Sequence, residues 1–366
     1  MRVPLLFTAL AAAQACTSGL DCSLNGVCTS GVCACDSPWG GMQCETLIYA
    51  TTPASGKNIW SGANTNDTLN SWNGPILTAA DGTHHAYIPV YEHASLWATV
   101  YTAHGVATSP TGPFDWTAMP NLPVHDINPA ALTYPNASSP TGSTTAVFLG
   151  GKVMIAESPA GPFSVSSYTY PGGGGSNPAP MWRDGALYMT NQGTDTVWTT
   201  PSLASAPWSV FSKITHPSFP YTIEDPFLYS DPRGGWHIIN HAYNTGQRTN
   251  CSTSHVSSHF FSLDGKTWGW SDQPYGHDVV FDDGTNHSFC TLERPNFVFS
   301  AAGLLTHLNV AADLVTGNEG CAARGKGCVV RGLVRPVFLR SLCSLSLATP
   351  HTHTGTLLAA VGLQVR

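Results

Sequence analysis

Short β-rich runs separated by turns dominate the chain. Ala86 to Val90 follows Asp81-Gly82, Ala186 to Met189 follows Arg183-Asp184-Gly185, and Trp236 to Ile239 follows Gly234-Gly235. Only 10% of residues are charged, while 36 glycines and 27 prolines punctuate the chain, a profile of many short strands and not of amphipathic helices. One segment recurs: Asn73-Gly74-Pro75-Ile76, Ile127-Asn128-Pro129-Ala130, Ser176-Asn177-Pro178-Ala179, Glu224-Asp225-Pro226-Phe227 and Glu293-Arg294-Pro295-Asn296. Its prolines lie 54, 49, 48 and 69 residues apart, which suits one four-stranded blade, so residues 48–320 are expected to form an all-β, five-bladed β-propeller. A second echo, Ser109-Pro110-Thr111-Gly112-Pro113-Phe114 and Ser158-Pro159-Ala160-Gly161-Pro162-Phe163, reads as a turn late in the first two blades.

Proline tolerates the first position of a strand and little else within a sheet, so each repeat proline marks where an innermost strand begins. Innermost strands line the central channel of a propeller, and equivalent residues at their starts converge on one mouth. Asn73, Asn128, Asn177, Glu224, Asp225, Glu293 and Arg294 are therefore expected to face one another. A polar ring with clustered carboxylates is unusual for packing alone.

The region before the repeat differs. Arg2, an apolar stretch from Val3 to Ala13 and the small-residue site Ala13-Gln14-Ala15 read as a secretory signal peptide over residues 1–15, which predicts a secreted, extracellular protein. No other stretch approaches the roughly 20 apolar residues of a membrane span. Eleven cysteines in an exported chain favour disulfides. Six of them, Cys16, Cys22, Cys28, Cys33, Cys35 and Cys44, fall in a segment too short to fold without covalent staples. The ending Cys33, Cys35, Gly41, Cys44 resembles an EGF-like module over residues 16–44, and that resemblance implies Cys16 with Cys28, Cys22 with Cys33 and Cys35 with Cys44. Two roles stay open: an arm facing another extracellular protein, or a bare N-terminal staple. Among the later cysteines, Cys251 with Cys290 and Cys321 with Cys328 are candidate pairs that would leave Cys343 free. Sequons at Asn66, Asn136, Asn250 and Asn286 are expected glycosylation sites.

Charge refines this picture. The formal net charge is −7, yet residues 321–366 hold Arg324, Lys326, Arg331, Arg335, Arg340 and Arg366 and no acid. That segment reads as an atypical basic tail, outside the strand pattern and disordered. The acidic body offers no footprint for nucleic acid and is compatible with a neutral or cationic partner.

The segment Ile223-Glu224-Asp225-Pro226-Phe227-Leu228-Tyr229, with Ile127-Asn128-Pro129, resembles the five-bladed propeller glycoside hydrolases of family 43 and its relatives, over roughly residues 50–320. The resemblance implies a carbohydrate partner of the arabinan or xylan class and places the general acid at Glu224. Hydrolysis needs a second carboxyl, about 6.5–9.5 Å away for inversion. The family's first- and second-blade aspartates are here Asn73 and Asn128, which cannot take a proton, so Asp126, Asp225 and Glu293 are the candidates for the base. The alternative is a catalytically inactive carbohydrate-binding propeller. Arg294 either binds substrate or pairs Glu293. His237 and His241, four apart on an expected strand and so on one face, are channel candidates, although His255 and His259 show the same spacing. Trp60, Trp72 and Trp182 either stack on sugar or fill the inter-blade core. No cofactor or metal is assigned, with a structural ion on the propeller axis left open.

Overall fold

The computed structural model describes residues 15–53, 69–71, 73–92, 99–119, 128–172, 177–192, 195–204, 207–215, 218–243, 256–289, 291–313 and 330–336. Residues 1–14 of the expected signal peptide, Asp126, Trp60, Trp72, His255, Asn66, Asn250 and the five later cysteines lie outside these residues.

The N-terminal module is a 3-10 turn at Gly19–Cys22, a hairpin of β1 (Gly26–Thr29) and β2 (Val32–Cys35), and a short pair, β3 (Trp39–Gly40) with β4 (Thr46–Leu47). Disulfides Cys16–Cys28, Cys22–Cys33 and Cys35–Cys44 staple it. It is no free arm. Cys16, Cys22, Trp39, Cys44 and Leu47 share one buried apolar cluster with Tyr229, Tyr275, Phe289 and Phe297. Leu47 N donates to Pro274 O at 2.9 Å, and Arg233 pairs with Asp36 at 2.5 Å, so backbone and charge fix the module in place.

The remainder is an all-β propeller. In the first blade β5 (Leu69–Ser71) and β6 (Ile76–Thr78) both pair with β7 (His84–Glu92), and β8 (Thr99–Ala107) and β9 (Asp115–Ala118) follow. The second comprises β10 (Ala130–Pro135), β11 (Ser143–Leu149), β12 (Lys152–Ala156) and β13 (Ser164–Val165). The third comprises β14 (Ala179–Arg183), β15 (Ala186–Thr190), β16 (Thr196–Thr200) and β17 (Ser209–Lys213). The fourth comprises β18 (Thr222–Ser230), β19 (Trp236–Tyr243), β20 (Ser257–Ser262) and β21 (Gly269–Asp272). A hairpin of β22 (Asp278–Val280) and β23 (Asn286–Ser288) leads to a three-stranded sheet, β24 (Thr291–Phe299), β25 (Leu305–Asp313) and β26 (Val330–Pro336).

The repeat predicts five blades; the described residues give four complete ones plus this three-stranded sheet. Strand β26 lies inside the expected tail and runs antiparallel to β25 from Asp313↔Val330 to His307↔Pro336. That part of the tail is therefore ordered, because it satisfies hydrogen-bonding groups that would otherwise stand open along β25. The inner strands pack in sequence, β6 on β10, β10 on β14, β14 on β18, β18 on β24, and β24 back on β6. Apolar clusters fill the seams, such as Leu132, Phe148, Leu187 and Met189 between the second and third blades. Trp182 stacks on Tyr134 in that seam with centroids 5.2 Å apart, an inter-blade packing role.

The prolines behave as expected in three repeats and differently in two. β6, β10 and β14 begin directly after Pro75, Pro129 and Pro178, whereas Pro226 and Pro295 lie inside β18 and β24. There the register slips between Glu224 and Phe227 and between Glu293 and Asn296. These bulges take the missing N–H out of the ladder.

Candidate site at the channel mouth

The bulges decide which side chain reaches the mouth. Asn177, Asp225 and Arg294, each immediately before its proline, sit at positive φ of 43°, 52° and 54°. A non-glycine residue held there, and before proline, costs of order 1–3 kcal/mol, and such strain clusters at functional sites. Together with Asn73 and Asn128 they line one cleft at the start of the inner strands, floored by Pro129, Pro178, Pro226 and Pro295. The space enclosed is about 40 Å³, room for a few water-sized groups or one edge of a larger ligand.

In the first repeat the pre-proline position is Gly74. A Cβ there would lie 1.8 Å from the Tyr87 carbonyl oxygen on β7, so only glycine fits. The first blade cannot offer a side chain at that position, and Asn73 supplies the amide instead. Asn73 Nδ2 donates to the Arg294 carbonyl at 3.0 Å, and Asn309 Nδ2 donates to the Gly74 carbonyl at 2.6 Å.

Glu224, expected in the mouth, is absent from the cleft lining. Glu224 is 2% exposed and opens on a separate small cavity with Gln192 and Asp195. Its Oε1 accepts from His241 Nδ1 at 3.1 Å and its Oε2 from Gln192 Nε2 at 3.0 Å. Asp225 is the carboxylate that lines the cleft. Its Oδ1 accepts from Asn177 Nδ2 and lies 3.9 Å from the Arg294 guanidinium, while no donor among the described residues reaches its buried Oδ2. Glu293, expected at the mouth, is buried and absent from the cleft lining.

Glu224, Asp225, Glu293 and His241 each bring a donor atom within 4.8 Å of the others. Burial pushes the Asp225 carboxyl up to about 6; Arg294 opposes this, and the charges of Glu224 and Glu293 reinforce it. Burial draws the His241 imidazole down, but its hydrogen bond to Glu224 and the charges of Glu293, Glu224 and Asp225 prevail, leaving it above its ordinary 6.5. The donor set could ligate a metal by type and spacing. Within the protein, His241 Nδ1 already engages Glu224 Oε1, and Arg294 lies 3.9 Å from Asp225 Oδ1.

His237 is corrected as well: it pairs across to Tyr229, while His241 pairs with Glu224, so the two histidines stand toward opposite ends of β19. His237 Nδ1 lies 2.9 Å from His259 Nε2, and His259 stacks under Trp39 of the module at 5.4 Å. Of the second pair with the same spacing, His259 is thus a partner of His237. Gln192 was missed. It stands just past β15, in no repeat segment, and no sequence signal singles it out.

No family profile matches the chain, and no curated relative is found. Similarity to solved structures is at low identity. A mutant of the α-L-arabinofuranosidase from Fusarium graminearum in complex with an iminosugar inhibitor is 10% identical, with a TM-score of 0.47, over 80% of this chain and 96% of that one. The α-L-arabinofuranosidase from Lactobacillus brevis is 9% identical, with a TM-score of 0.46, over 73% and 91%. A family-43 glycoside hydrolase from Xanthomonas citri is 10% identical, with a TM-score of 0.45, over 80% and 91%. These identities carry over neither a residue nor an activity.

Proposed function

We propose that the protein is a secreted, glycoside-hydrolase-like propeller of five blades, with an EGF-like module, that binds a hydroxyl-rich saccharide at the channel mouth. One observation carries the reading. Asn73 Oδ1, Asn177 Oδ1 and Asp225 Oδ2, from three different blades, are buried at one cleft with no donor among the described residues. An acceptor left in that state costs about 1–3 kcal/mol, and a ligand bearing several hydroxyls supplies the donors. The strained backbone at Asn177 and Asp225 supports the same reading, since it aims those side chains inward. Arabinan, xylan and their oligomers are the first ligands to test.

Hydrolysis is the second reading, favoured by the raised Asp225 carboxyl beside Glu293 and Glu224. Oxygen atoms of these carboxyls lie within 4.8 Å of one another, tighter than the roughly 6.5–9.5 Å of an inverting pair, which leaves the closer spacing of a retaining pair as the hydrolytic geometry; against it, Glu224 is absent from the cleft lining. The test is calorimetric titration of an arabinan and xylan oligosaccharide panel, with reducing-end assays alongside. Binding without turnover, weakened about tenfold or more in Asp225→Ala, is expected. Turnover abolished by Asp225→Asn would replace binding with hydrolysis, and no binding to any member would end the saccharide assignment.

A further inference from the structure

We propose that Gln192 is the positioning residue that sets the hydrogen-bonding polarity of the mouth; this rests on the saccharide reading above. Glu224 Oε2 accepts from Gln192 Nε2 at 3.0 Å, so the amide nitrogen faces the carboxylate and the amide oxygen faces away. That oxygen accepts from Asn177 Nδ2, which also donates to Asp225 Oδ1. Both amide hydrogens of Asn177 are thereby engaged within the protein, and Oδ1 is what remains for the cleft.

A buried carboxylate thus dictates, through two amides, the character of a surface it does not itself touch. If Gln192 lost its polar groups, Asn177 could turn and offer its nitrogen to the cleft. Asn73 reaches the same polarity independently, because its Nδ2 is held by the Arg294 carbonyl. The mouth therefore presents acceptors from the first and third blades, and it selects ligands by their free hydroxyl donors. A saccharide whose hydroxyls are capped as methyl ethers keeps its oxygens as acceptors but loses every donor, and the added bulk weighs equally on wild type and variants.

The experiment is calorimetric titration of the full chain, as wild type, Gln192→Leu and Gln192→Glu, with xylotriose, arabinotriose and their per-O-methylated derivatives at pH 7. Wild type is expected to prefer at least one free trisaccharide over its methylated form by about tenfold or more, one hydrogen-bond equivalent. Gln192→Leu should bring that ratio to within about threefold. Gln192→Glu keeps an oxygen for Asn177 and should retain the ratio at lower overall affinity. An unchanged ratio in a folded Gln192→Leu protein overturns the proposal, as does equal loss in both variants. Should Gln192→Leu fail to fold, hydrogen exchange of the Asn177 side-chain amide in wild type decides: slow exchange supports the proposal and solvent-rate exchange refutes it. If wild type binds neither free trisaccharide, the saccharide reading falls and takes this one with it.

Discussion

Strand β19 carries two histidines four residues apart, both 1% exposed, that titrate in opposite directions. His241 faces Glu224, Asp225 and Glu293 and is held above 6.5. His237 is held below 6.5, chiefly by burial, although Asp231 opposes this from 3.6 Å. Its neighbour His259 is driven further down, by burial and by the His237 charge. Burial is the same at both ends; the partners differ. At the mouth the fold gathers charges that need a proton. At the module end it builds a neutral chain in which Asn25 Nδ2 lies 3.5 Å from His259 Nδ1, and His259 Nε2 lies 2.9 Å from His237 Nδ1. With Asn25 donating, His259 carries its proton on Nε2 and passes a donor to His237, whose own proton then faces Asp231.

The two ends can be broken separately. The largest effect is expected at the module end: Trp39→Ala empties a site shared by module and propeller and should cost about 4 kcal/mol, read as a fall in thermal midpoint. A midpoint within error of wild type would show the module to be loosely attached. At the mouth, His241→Phe leaves the buried Glu224 carboxylate without its imidazole partner and should cost about 3 kcal/mol, with less loss in the double variant that also carries Glu224→Gln. Equal loss in both would separate the two residues energetically.

A pH series sharpens the contrast. His237 and His259 favour the fold in their neutral forms, so their contribution is present above 6.5 and lost as the pH falls. Asp225, raised from 3.8 to about 6, contributes fully below 3.8 and loses that contribution as the pH rises through about 6. Melting curves of Asp225→Asn should therefore lack the decline of wild type between about pH 4 and 6 while keeping any acid loss from the histidine pair. The smallest effect is expected at Asn286, an exposed sequon residue on β23. Asn286→Gln should move stability by less than about 0.5 kcal/mol yet remove one glycan's mass from protein expressed through a secretory pathway. Asn136 differs, since its Nδ2 is engaged by Thr144 at 2.8 Å.

The repeat was legible because proline and turn residues obey local rules, and Ile76, Ala130 and Ala179 begin strands where those rules put them. Convergence of the repeats on one cleft was legible for the same reason. Which residue of Glu224-Asp225 enters the cleft was not, because a bulge shifts the facing by one and only the completed ladder with β19 reveals it. The absence of an acid from the first repeat was visible, but the reason its pre-proline position is glycine, the Tyr87 carbonyl beside Gly74, belongs to tertiary structure. Gln192 was illegible because its role depends on contacts with two other segments, Asn177 and Glu224.

The seating of the module has a consequence for biosynthesis. Its cysteines close within 12 residues of one another and leave the ribosome ahead of the propeller, whereas Tyr229, Phe289 and Phe297, which cover its apolar face, are translated some two hundred residues later. At about 5–20 residues per second the nascent module waits ten seconds or more with Trp39 and Leu47 uncovered. Docking is thus a late event, and a truncated chain that stops before β24 would lack Phe297 and leave part of that face uncovered.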